Sequence, residues 1–329
     1  MANVSITMGA GLTDRVVGLA TREIRPEGAD LEFVIEESPR KIFDRMAGPN
    51  PFDASEMSLS EFVIRIDAND RSMVGIPAFT SRMFRHSYIV VNRKAISKPE
   101  DLRGKRIGIP IYTTTAAVYM RALLQHDYGV AFDDVDWLTG DLEKAGGHGP
   151  VAVAGLQKPV RIERNTSDKS LGQLLAENEI QAIIGPTLPS VLGKHPDVDR
   201  LFPNYVEVES DYYRRTGIFP IMHLVTIRRE VHERHPFLAE SLYKAFCDAK
   251  DLALKRMRST GTTPYMLPWM SRELQLLDDV LGPDPWPYGV EPCRRTLEAF
   301  TTYLFEQGMT KTIVPLEQLF VCGADEAKN

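Results

Sequence analysis

The sequence has few cysteines, and their spacing excludes two common architectures. Cys247, Cys293 and Cys322 are an odd number, and no two of them lie close together along the chain. They therefore form neither a zinc-binding pattern nor a framework of disulfides. Such cysteine usage indicates a reducing compartment, and we expect a cytoplasmic protein.

Long hydrophobic runs are also missing. No stretch approaches the roughly 20 apolar residues that a membrane-spanning helix needs. The start, Met1 to Met8, has neither the basic segment, the apolar core nor the cleavage motif of a secretory leader. The net charge of −6 gives no general reason to bind nucleic acid or an anionic membrane. Any anion-binding site must therefore be a local cluster of cations.

Several motifs of nucleotide-binding, hydrolytic and metal-dependent enzymes are absent as well. The glycine loops GxGxxG and GxxxxGK[ST], the hydrolase elbow GxSxG and the metalloprotease motif HExxH do not occur. His232 and His235 have a metal-like spacing, but they lie among charged residues at a helix start, which favours surface exposure. The sequence therefore predicts no metal site.

Short apolar runs that alternate with helical segments make up most of the chain. Apolar runs at 4–8, 31–35, 73–79, 106–110 and 180–184 predict strands, and amphipathic segments follow several of them. This order is typical of an α/β protein with largely parallel sheets. A chain of 329 residues is long for one core, so we expect two lobes.

Arg82, Arg85 and His86 fall within five residues, directly before an apolar run at 88–92 that predicts a strand. Two interpretations are open. The segment could be a solvated loop whose arginines meet surface carboxylates. It could also be a pocket edge at which two guanidinium groups and an imidazole bind an anionic ligand.

A second segment, residues 212–223, also places arginines and a histidine before an apolar run. Tyr213, Arg215 and His223 precede or open the apolar run at 224–227. A histidine in an apolar run is usually buried with its hydrogen bonds satisfied. The position of His223 matches that of His86, and this favours a functional role.

Short polar residues stand where predicted strands end and helices begin. The candidates for ligand binding are Asp14, Arg15, Ser58, Ser60, Ser81, Thr114 and Thr115. A strand, a glycine-rich turn and a helix start before Asp14 favour an anion at the helix N-terminus. The serines and threonines could equally cap the helices that they precede.

Several of these segments together resemble the 4,5-dihydroxyphthalate decarboxylase family, over nearly the whole chain. They are E-M-S-L-S-E-F at 56–62, F-T-S-R-M-F-R-H-S at 79–87, L-R-G-K-R-I-G-I-P at 102–110, Y-Y-R-R-T-G-I-F-P-I-M-H at 212–223, R-H-P-F-L-A-E-S-L-Y-K-A-F at 234–246 and D-P-W-P-Y-G at 284–289. The chain departs from the family pattern at Thr13, Val17, Thr113–Thr114 and Cys293, so the resemblance leaves the exact substrate open.

The resemblance implies a two-lobed α/β fold like that of type II periplasmic binding proteins, with a ligand cleft between the lobes. Lobe one would comprise residues 1–92 and 222–329, and lobe two residues 93–221. The strands at 88–92 and 223–227 would form the hinge.

The resemblance also implies a carboxy-lyase of aromatic catabolism, such as phthalate degradation, that decarboxylates a hydroxylated aromatic carboxylate without oxidation. Arg82 and Arg85 would bind the carboxylate, and either His86 or His223 would protonate the ring carbon. No cofactor would be needed, because the protonated ring accepts the electrons. The partner would be a small aromatic carboxylate, and assembly into a homo-oligomer is compatible with the sequence. The rival hypotheses are a solute-binding protein of the ABC-transporter type for an organic anion, and another reaction on the same scaffold.

Overall fold

The computed structural model describes residues 3–49, 51–146, 155–261 and 265–322. The strands are β1 (Val4–Ala10), β2 (Ala29–Ile35), β3 (Ala54–Ser58), β4 (Met73–Arg82), β5 (Val90–Asn92), β6 (Arg106–Ile109), β7 (Asp136–Thr139), β8 (Ile162–Arg164), β9 (Ala182–Ile183), β10 (Val198–Arg200) and β11 (Ile221–Arg228). The helices are α1 (Asp14–Ala20), α2 (Pro39–Met46), α3 (Leu59–Asp67), α4 (Thr115–Tyr128), α5 (Leu171–Ala176), α6 (Tyr205–Thr216), α7 (Arg229–Arg234), α8 (Phe237–Met257), α9 (Met270–Leu281) and α10 (Val290–Glu306). None of the helices in this described part of the chain combines the length and the apolar character needed to cross a membrane.

The chain divides into two compact units, and the first comprises Met1–Arg82, Ile221–Glu298 and Val314–Asn329. Its sheet has the described strand order β2-β1-β3-β11-β4. β1 runs parallel to β2 and β3, whereas β11 runs antiparallel to both of its neighbours, β3 and β4. Ile6 and Met8 of β1 are buried, which agrees with the alternation that predicts a strand there.

The second unit comprises Met83–Pro220 and Ala299–Ile313. Its sheet has the order β10-β5-β9-β6-β7-β8 within the described residues. β6 pairs in parallel with β7 and β9, and β5 pairs antiparallel with β9 and β10. Leucines, isoleucines and valines from β5, β7, β9, β10 and α5 form one buried cluster beside this sheet.

The division of the chain differs from the predicted one in two places. The first unit ends at Arg82, before the predicted boundary after Asn92, because β5 pairs with β9 and β10 in the second sheet. The predicted strand at 88–92 is also shorter, since His86–Tyr88 forms a 3₁₀ turn. Residues 299–313, predicted in lobe one, group with the second unit.

Candidate active site

Four strand ends lie side by side along one border of the first sheet, which is called the edge below. β1, β3 and β4 have their carboxyl ends at this edge, and β11 begins there because it runs in the opposite direction. His223 of β11 lies opposite Ser58 of β3 on one side and Ser81 of β4 on the other. Ligands of open α/β sheets bind beyond the carboxyl ends of the strands. The pairing therefore places three predicted site residues in one row at the edge where a ligand is expected.

His223 has a carboxylate partner that the sequence analysis missed. Nδ1 of His223 lies 2.6 Å from Oε1 of Glu56, and the backbone N–H of Gly11 donates to Oε2 of Glu56 at 3.3 Å. Burial alone would raise the pKa of Glu56, but His223 and the backbone N–H of Gly11 outweigh it and bring this pKa below its usual value. Glu56 is therefore an ionised acceptor at neutral pH, and Nδ1 of His223 carries the proton that it accepts.

This pair gives the imidazole a defined orientation and a defined chemistry. A buried carboxylate on Nδ1 fixes the ring and leaves Nε2 as the nitrogen that can exchange a proton with a ligand or with solvent. The side chain of His223 is 18% exposed and that of Glu56 only 7% exposed. The ring edge of Phe43 packs against His223, with the ring centroids 5.0 Å apart. The arrangement can therefore hold and deliver one proton.

Glu56 is a residue whose role hydrophobic periodicity does not detect, although its position in the sequence is unusual. It is an acidic residue inside a five-residue strand, Ala54–Ser58, every residue of which is buried. A buried carboxylate needs a hydrogen-bonding or cationic partner. An acid between small and apolar residues in this buried strand therefore indicates a partner elsewhere in the chain, although the sequence does not identify it as His223.

Arg15 is fixed at the same edge of the first unit. Its Nε donates to the backbone oxygen of Thr80 at 2.5 Å, and its Nη1 donates to Oδ1 of Asp14 at 2.8 Å. The guanidinium carbon lies 4.5 Å from the ring centroid of Trp286. Asp14 is the first residue of α1 and follows the end of β1. Arg15, predicted to bind a ligand after the first glycine-rich turn, thus has an oriented guanidinium group, and its binding role stays a prediction.

The serines of this edge are not used as the helix caps that the sequence allowed. Ser58 stands at the N-cap position of α3, but its side chain makes no capping hydrogen bond. Its Oγ instead lies 3.1 Å from Oγ of Ser60, and both residues are buried. Ser81 is half-buried in β4. Ser58 and Ser81 are the neighbours of His223 on the two adjacent strands, and Ser60 lies next to Ser58.

Arg82 faces its own unit. Its Nη1 donates to the backbone oxygen of Pro287 at 2.9 Å and lies 3.6 Å from Sγ of Cys293. The residue is only 4% exposed. These contacts tie β4 to the loop that contains Pro287, and the predicted carboxylate-binding role of Arg82 stays a prediction.

Arg85 and His86 belong to the second unit, so the predicted cluster is divided between the units. Nη1 of Arg85 donates to the backbone oxygen of Pro186 at 3.3 Å, and its guanidinium group lies 4.8 Å from the ring centroid of Tyr88. Burial lowers the pKa of Arg85 to about 10, so it remains a cation at neutral pH. Its role in substrate binding is not tested by these contacts.

His86 has a less suitable environment for a proton donor than His223. It is 2% exposed, and the rings of Phe202 and Tyr212 lie edge-on to it at centroid distances of 5.5 and 5.1 Å. Burial lowers the pKa of His86 to about 4, so its imidazole is neutral at pH 7. Oε1 of Glu209 lies 4.0 Å from Nδ1 but accepts hydrogen bonds from the backbone N–H and hydroxyl of Ser87, both at 3.0 Å.

The other predicted residues of the second unit lie on two helices. Thr114 is the N-cap residue of α4, and its hydroxyl donates to the backbone oxygen of Ile111 at 3.2 Å; Thr115 is buried in the first turn. Tyr213 of α6 is half-buried, and Arg215 on the same helix pairs with Asp127 at 3.2 Å.

The predicted site residues are distributed over both units. The first unit contains Asp14, Arg15, Ser58, Ser60, Ser81, Arg82 and His223, and the second contains Arg85, His86, Thr114, Thr115, Tyr213 and Arg215. Among the described residues, no group of three or more His, Cys, Asp or Glu side chains could hold a metal ion.

Comparisons with known proteins identify relatives over nearly the whole chain. A 4,5-dihydroxyphthalate decarboxylase of Comamonas testosteroni is 31% identical over 322 residues, 97% of each chain. A 4,5-dihydroxyphthalate decarboxylase of Pseudomonas putida is 33% identical over 216 residues, which cover 65% of this chain and 83% of the relative. No protein-family model matches the chain.

Solved structures show the fold. The periplasmic aliphatic sulphonate binding protein SsuA of Escherichia coli superposes with a TM-score of 0.52 at 12% identity, over 97% of this chain and 98% of SsuA. A putative periplasmic sulfonate-binding protein of Methylobacillus flagellatus gives a TM-score of 0.51 at 13% identity, over 98% of this chain and 92% of that protein. At this identity the likeness concerns the fold alone, and it confirms the predicted α/β class of the periplasmic-binding-protein type.

Proposed function

The chain belongs to the 4,5-dihydroxyphthalate decarboxylase family, and from this premise we propose that it is a carboxy-lyase acting on a hydroxylated aromatic dicarboxylate such as 4,5-dihydroxyphthalate. The observation that carries the proposal is the pair formed by His223 and Glu56 at the strand edge. The reaction needs a positioned proton donor, which this pair supplies, and Arg15 of the same unit supplies a fixed guanidinium group.

The chemistry is a proton-for-carboxyl exchange on the ring. In 4,5-dihydroxyphthalate each carbon that bears a carboxylate has a hydroxyl group para to it. Protonation of that carbon breaks the aromatic system, and the para hydroxyl stabilises the resulting cation. The bond to the carboxylate then breaks, its electron pair restores the aromatic ring, and CO₂ leaves. One proton is consumed, one CO₂ is released, and a dihydroxybenzoate remains.

His223 is the proton donor in this scheme. Its Nε2–H is transferred to the ring carbon, and Glu56 stabilises the imidazolium from which that proton comes. The histidine regains its proton from solvent after the product leaves. His86 is the weaker candidate, because an enclosed imidazole with a pKa of about 4 is neutral at pH 7 and lacks the acidic proton of an imidazolium.

Arg15 binds a carboxylate of the substrate. A guanidinium group presents several N–H donors in a plane, which suits a carboxylate better than a point charge does. Ser58 and Ser81 are the strand partners of His223, and Oγ of Ser60 lies 3.1 Å from Oγ of Ser58; these hydroxyl groups would bind the polar substituents of the ring. Since the electrons of the broken bond return to the ring itself, the proposed reaction requires no cofactor.

The decisive experiment incubates the purified protein with 4,5-dihydroxyphthalate and measures CO₂ and dihydroxybenzoate, with and without a chelator. We expect stoichiometric release of both in either condition. His223→Asn keeps an N–H group for Glu56 but removes the titratable ring, and kcat should fall by about 10²- to 10⁴-fold. His126→Asn is the matched control, because His126 also pairs with a glutamate, Glu306, at 2.7 Å on the exposed side of α4; its kcat should stay within twofold.

Two results would overturn the proposal. Tight binding of the dicarboxylate without CO₂ release by the wild type would favour a solute-binding protein, the class to which the sulphonate-binding structural neighbours belong. Full turnover by a folded His223→Asn variant would remove His223 from the mechanism.

We also propose that the protein works in the cytoplasm. The sequence has three cysteines, Cys247, Cys293 and Cys322, an odd number without close spacing, and such usage supports a reducing compartment. Recovery of the protein in the periplasmic or membrane fraction of its native cells would contradict this.

A further inference from the structure

Lys250 is a buried cation on α8, outside the residues to which a role has been assigned. It is 7% exposed, and its Nζ lies 3.1 and 3.0 Å from the two carboxylate oxygens of Asp284. Burial alone would lower the pKa of Lys250, but Asp284 and Asp251 outweigh it and raise this pKa, so the side chain is charged. Lysines are rarely buried, but the side chain of Asp284 is 49% exposed, and an ion pair with an exposed partner contributes little to stability. Stability alone is therefore a weak reason for a charged pair here.

Asp284 connects Lys250 to the loop of residues 284–289. Its Oδ1, which binds Nζ, also accepts the backbone N–H of Trp286 at 3.2 Å. The indole N–H of Trp286 donates to the backbone oxygen of Phe79 at 2.8 Å. At the end of the loop, Gly289 has φ = 95°, a conformation that favours glycine, and its N–H donates to the backbone oxygen of Pro77 at 2.9 Å. With the hydrogen bond from Arg82 to the backbone oxygen of Pro287, the loop is thus fixed to β4 at three points and to α8 at a fourth.

Through Trp286, the loop also contacts Arg15. The ring of Trp286 lies 4.5 Å from the guanidinium carbon of Arg15, within the range of a cation–π contact. Arg15 is also held by the 2.5 Å hydrogen bond from its Nε to the backbone oxygen of Thr80. The orientation of this guanidinium group therefore depends on where the loop holds the indole ring.

We propose that Lys250 is a positioning residue, which, through Asp284 and Trp286, holds the guanidinium group of Arg15 in the orientation that binds a substrate carboxylate. This inference rests on the proposed function, because that function assigns carboxylate binding to Arg15. Lys250 does not touch Arg15 in this scheme, and its contribution passes through the loop.

A double-mutant cycle tests the connection. The dissociation constant of phthalate, which lacks the activating hydroxyl groups, is measured by calorimetry for the wild type, Lys250→Met, Trp286→Phe and the double variant. We expect Lys250→Met to weaken phthalate binding about 5- to 20-fold and to raise KM for 4,5-dihydroxyphthalate by a similar factor, with kcat within twofold. If the effect passes through Trp286, the double variant should bind no more than twofold more weakly than the weaker single variant.

The controls separate positioning from general destabilisation. Lys244→Met removes an exposed lysine from the same helix and should leave KM and phthalate binding unchanged. If Lys250→Met does not fold, Asp284→Asn interrupts the same chain of contacts and should reproduce the expected change in KM.

Distinct outcomes would overturn the inference and the proposed function. Independent, additive losses in the cycle, or a loss of kcat at constant KM, would refute the positioning role of Lys250. Phthalate binding that follows the expected cycle without any CO₂ release would refute the decarboxylation and leave the positioning role in place. If the wild type binds no phthalate but releases CO₂ from 4,5-dihydroxyphthalate, the KM values decide, and an unchanged KM for Lys250→Met refutes the positioning role alone.

Discussion

Replacing Glu56 by glutamine is the sharpest test of the proposed proton donor, because the substitution keeps the shape of the side chain and removes its charge. The bond that changes is the 2.6 Å contact between Oε1 of Glu56 and Nδ1 of His223. A hydrogen bond to a charged group contributes about 1.5–3 kcal/mol. If this stabilisation belongs to the imidazolium, its loss reduces the fraction of His223 that carries the proton to be donated, and kcat at neutral pH falls by roughly 10- to 150-fold, since about 1.4 kcal/mol corresponds to tenfold in an equilibrium constant.

The assay follows CO₂ release from 4,5-dihydroxyphthalate under saturating and limiting substrate. KM should change less than threefold, because Glu56 is buried and contacts the histidine rather than the substrate in the proposed scheme. Glu306→Gln is the matched control, since it changes the carboxylate partner of His126 in the same way, and it should leave kcat unchanged. A folded Glu56→Gln variant with wild-type kcat would refute the reasoning, as would a large rise in KM at constant kcat.

The same variant has a second, independent readout in acid stability. The pKa of Glu56 in the folded protein lies below its ordinary value of 4.5, so its ionisation stabilises the fold above that pH. This contribution is lost as the pH falls through the folded-state pKa. Wild type should therefore lose more stability than Glu56→Gln below about pH 4.5, as measured by urea unfolding. Equal losses in the two proteins would contradict the assigned direction of the pKa shift.

Two further predictions concern Arg15 and His86. Arg15→Lys keeps the charge but loses the planar set of donors, so KM should rise about 5- to 30-fold while kcat changes less than threefold; an unchanged KM would exclude Arg15 from carboxylate binding. The pKa of His86 is about 4 in the folded protein, against an ordinary value of 6.5. As the pH falls from 6.5 towards 4, His86 therefore takes up a proton in the unfolded chain but not in the folded one, and the free energy of unfolding decreases. Between pH 7 and pH 5 this corresponds to about 2 kcal/mol, and His86→Phe should lose about that much less over the same interval in urea unfolding. Parallel stability curves for the two proteins would contradict the buried, neutral state of His86.

Much of the fold was predictable because local patterns determine it. Strands at 4–8 and 31–35 were expected from short apolar runs, and β1 and β2 form there. The periodicity did not show where the strands end. β4 continues through Arg82, whereas the sequence analysis ended that strand at Phe79, because a charged residue in a strand leaves no apolar signal.

The candidate site was predictable in part. The residue types and their positions at strand ends indicated Arg15, Ser58 and His223, and the family resemblance indicated a reaction that needs a proton donor. The partner of His223 was not predictable, since Glu56 and His223 are 167 residues apart in the chain. Both histidines stand at the start of a predicted strand, and this position did not distinguish them.

The sequence by itself thus determined the class of fold, the family and the set of polar residues from which a site could be built. Only the tertiary structure decided which of them act together. The order of strands places β11 between β3 and β4, and this brings His223 to Glu56, whereas His86 lies between the rings of Phe202 and Tyr212. The physical reason is that periodicity records which face of an element is buried, while the pairing of distant strands selects the neighbours of each buried polar group. Those neighbours hold a carboxylate against one imidazole and keep the other neutral.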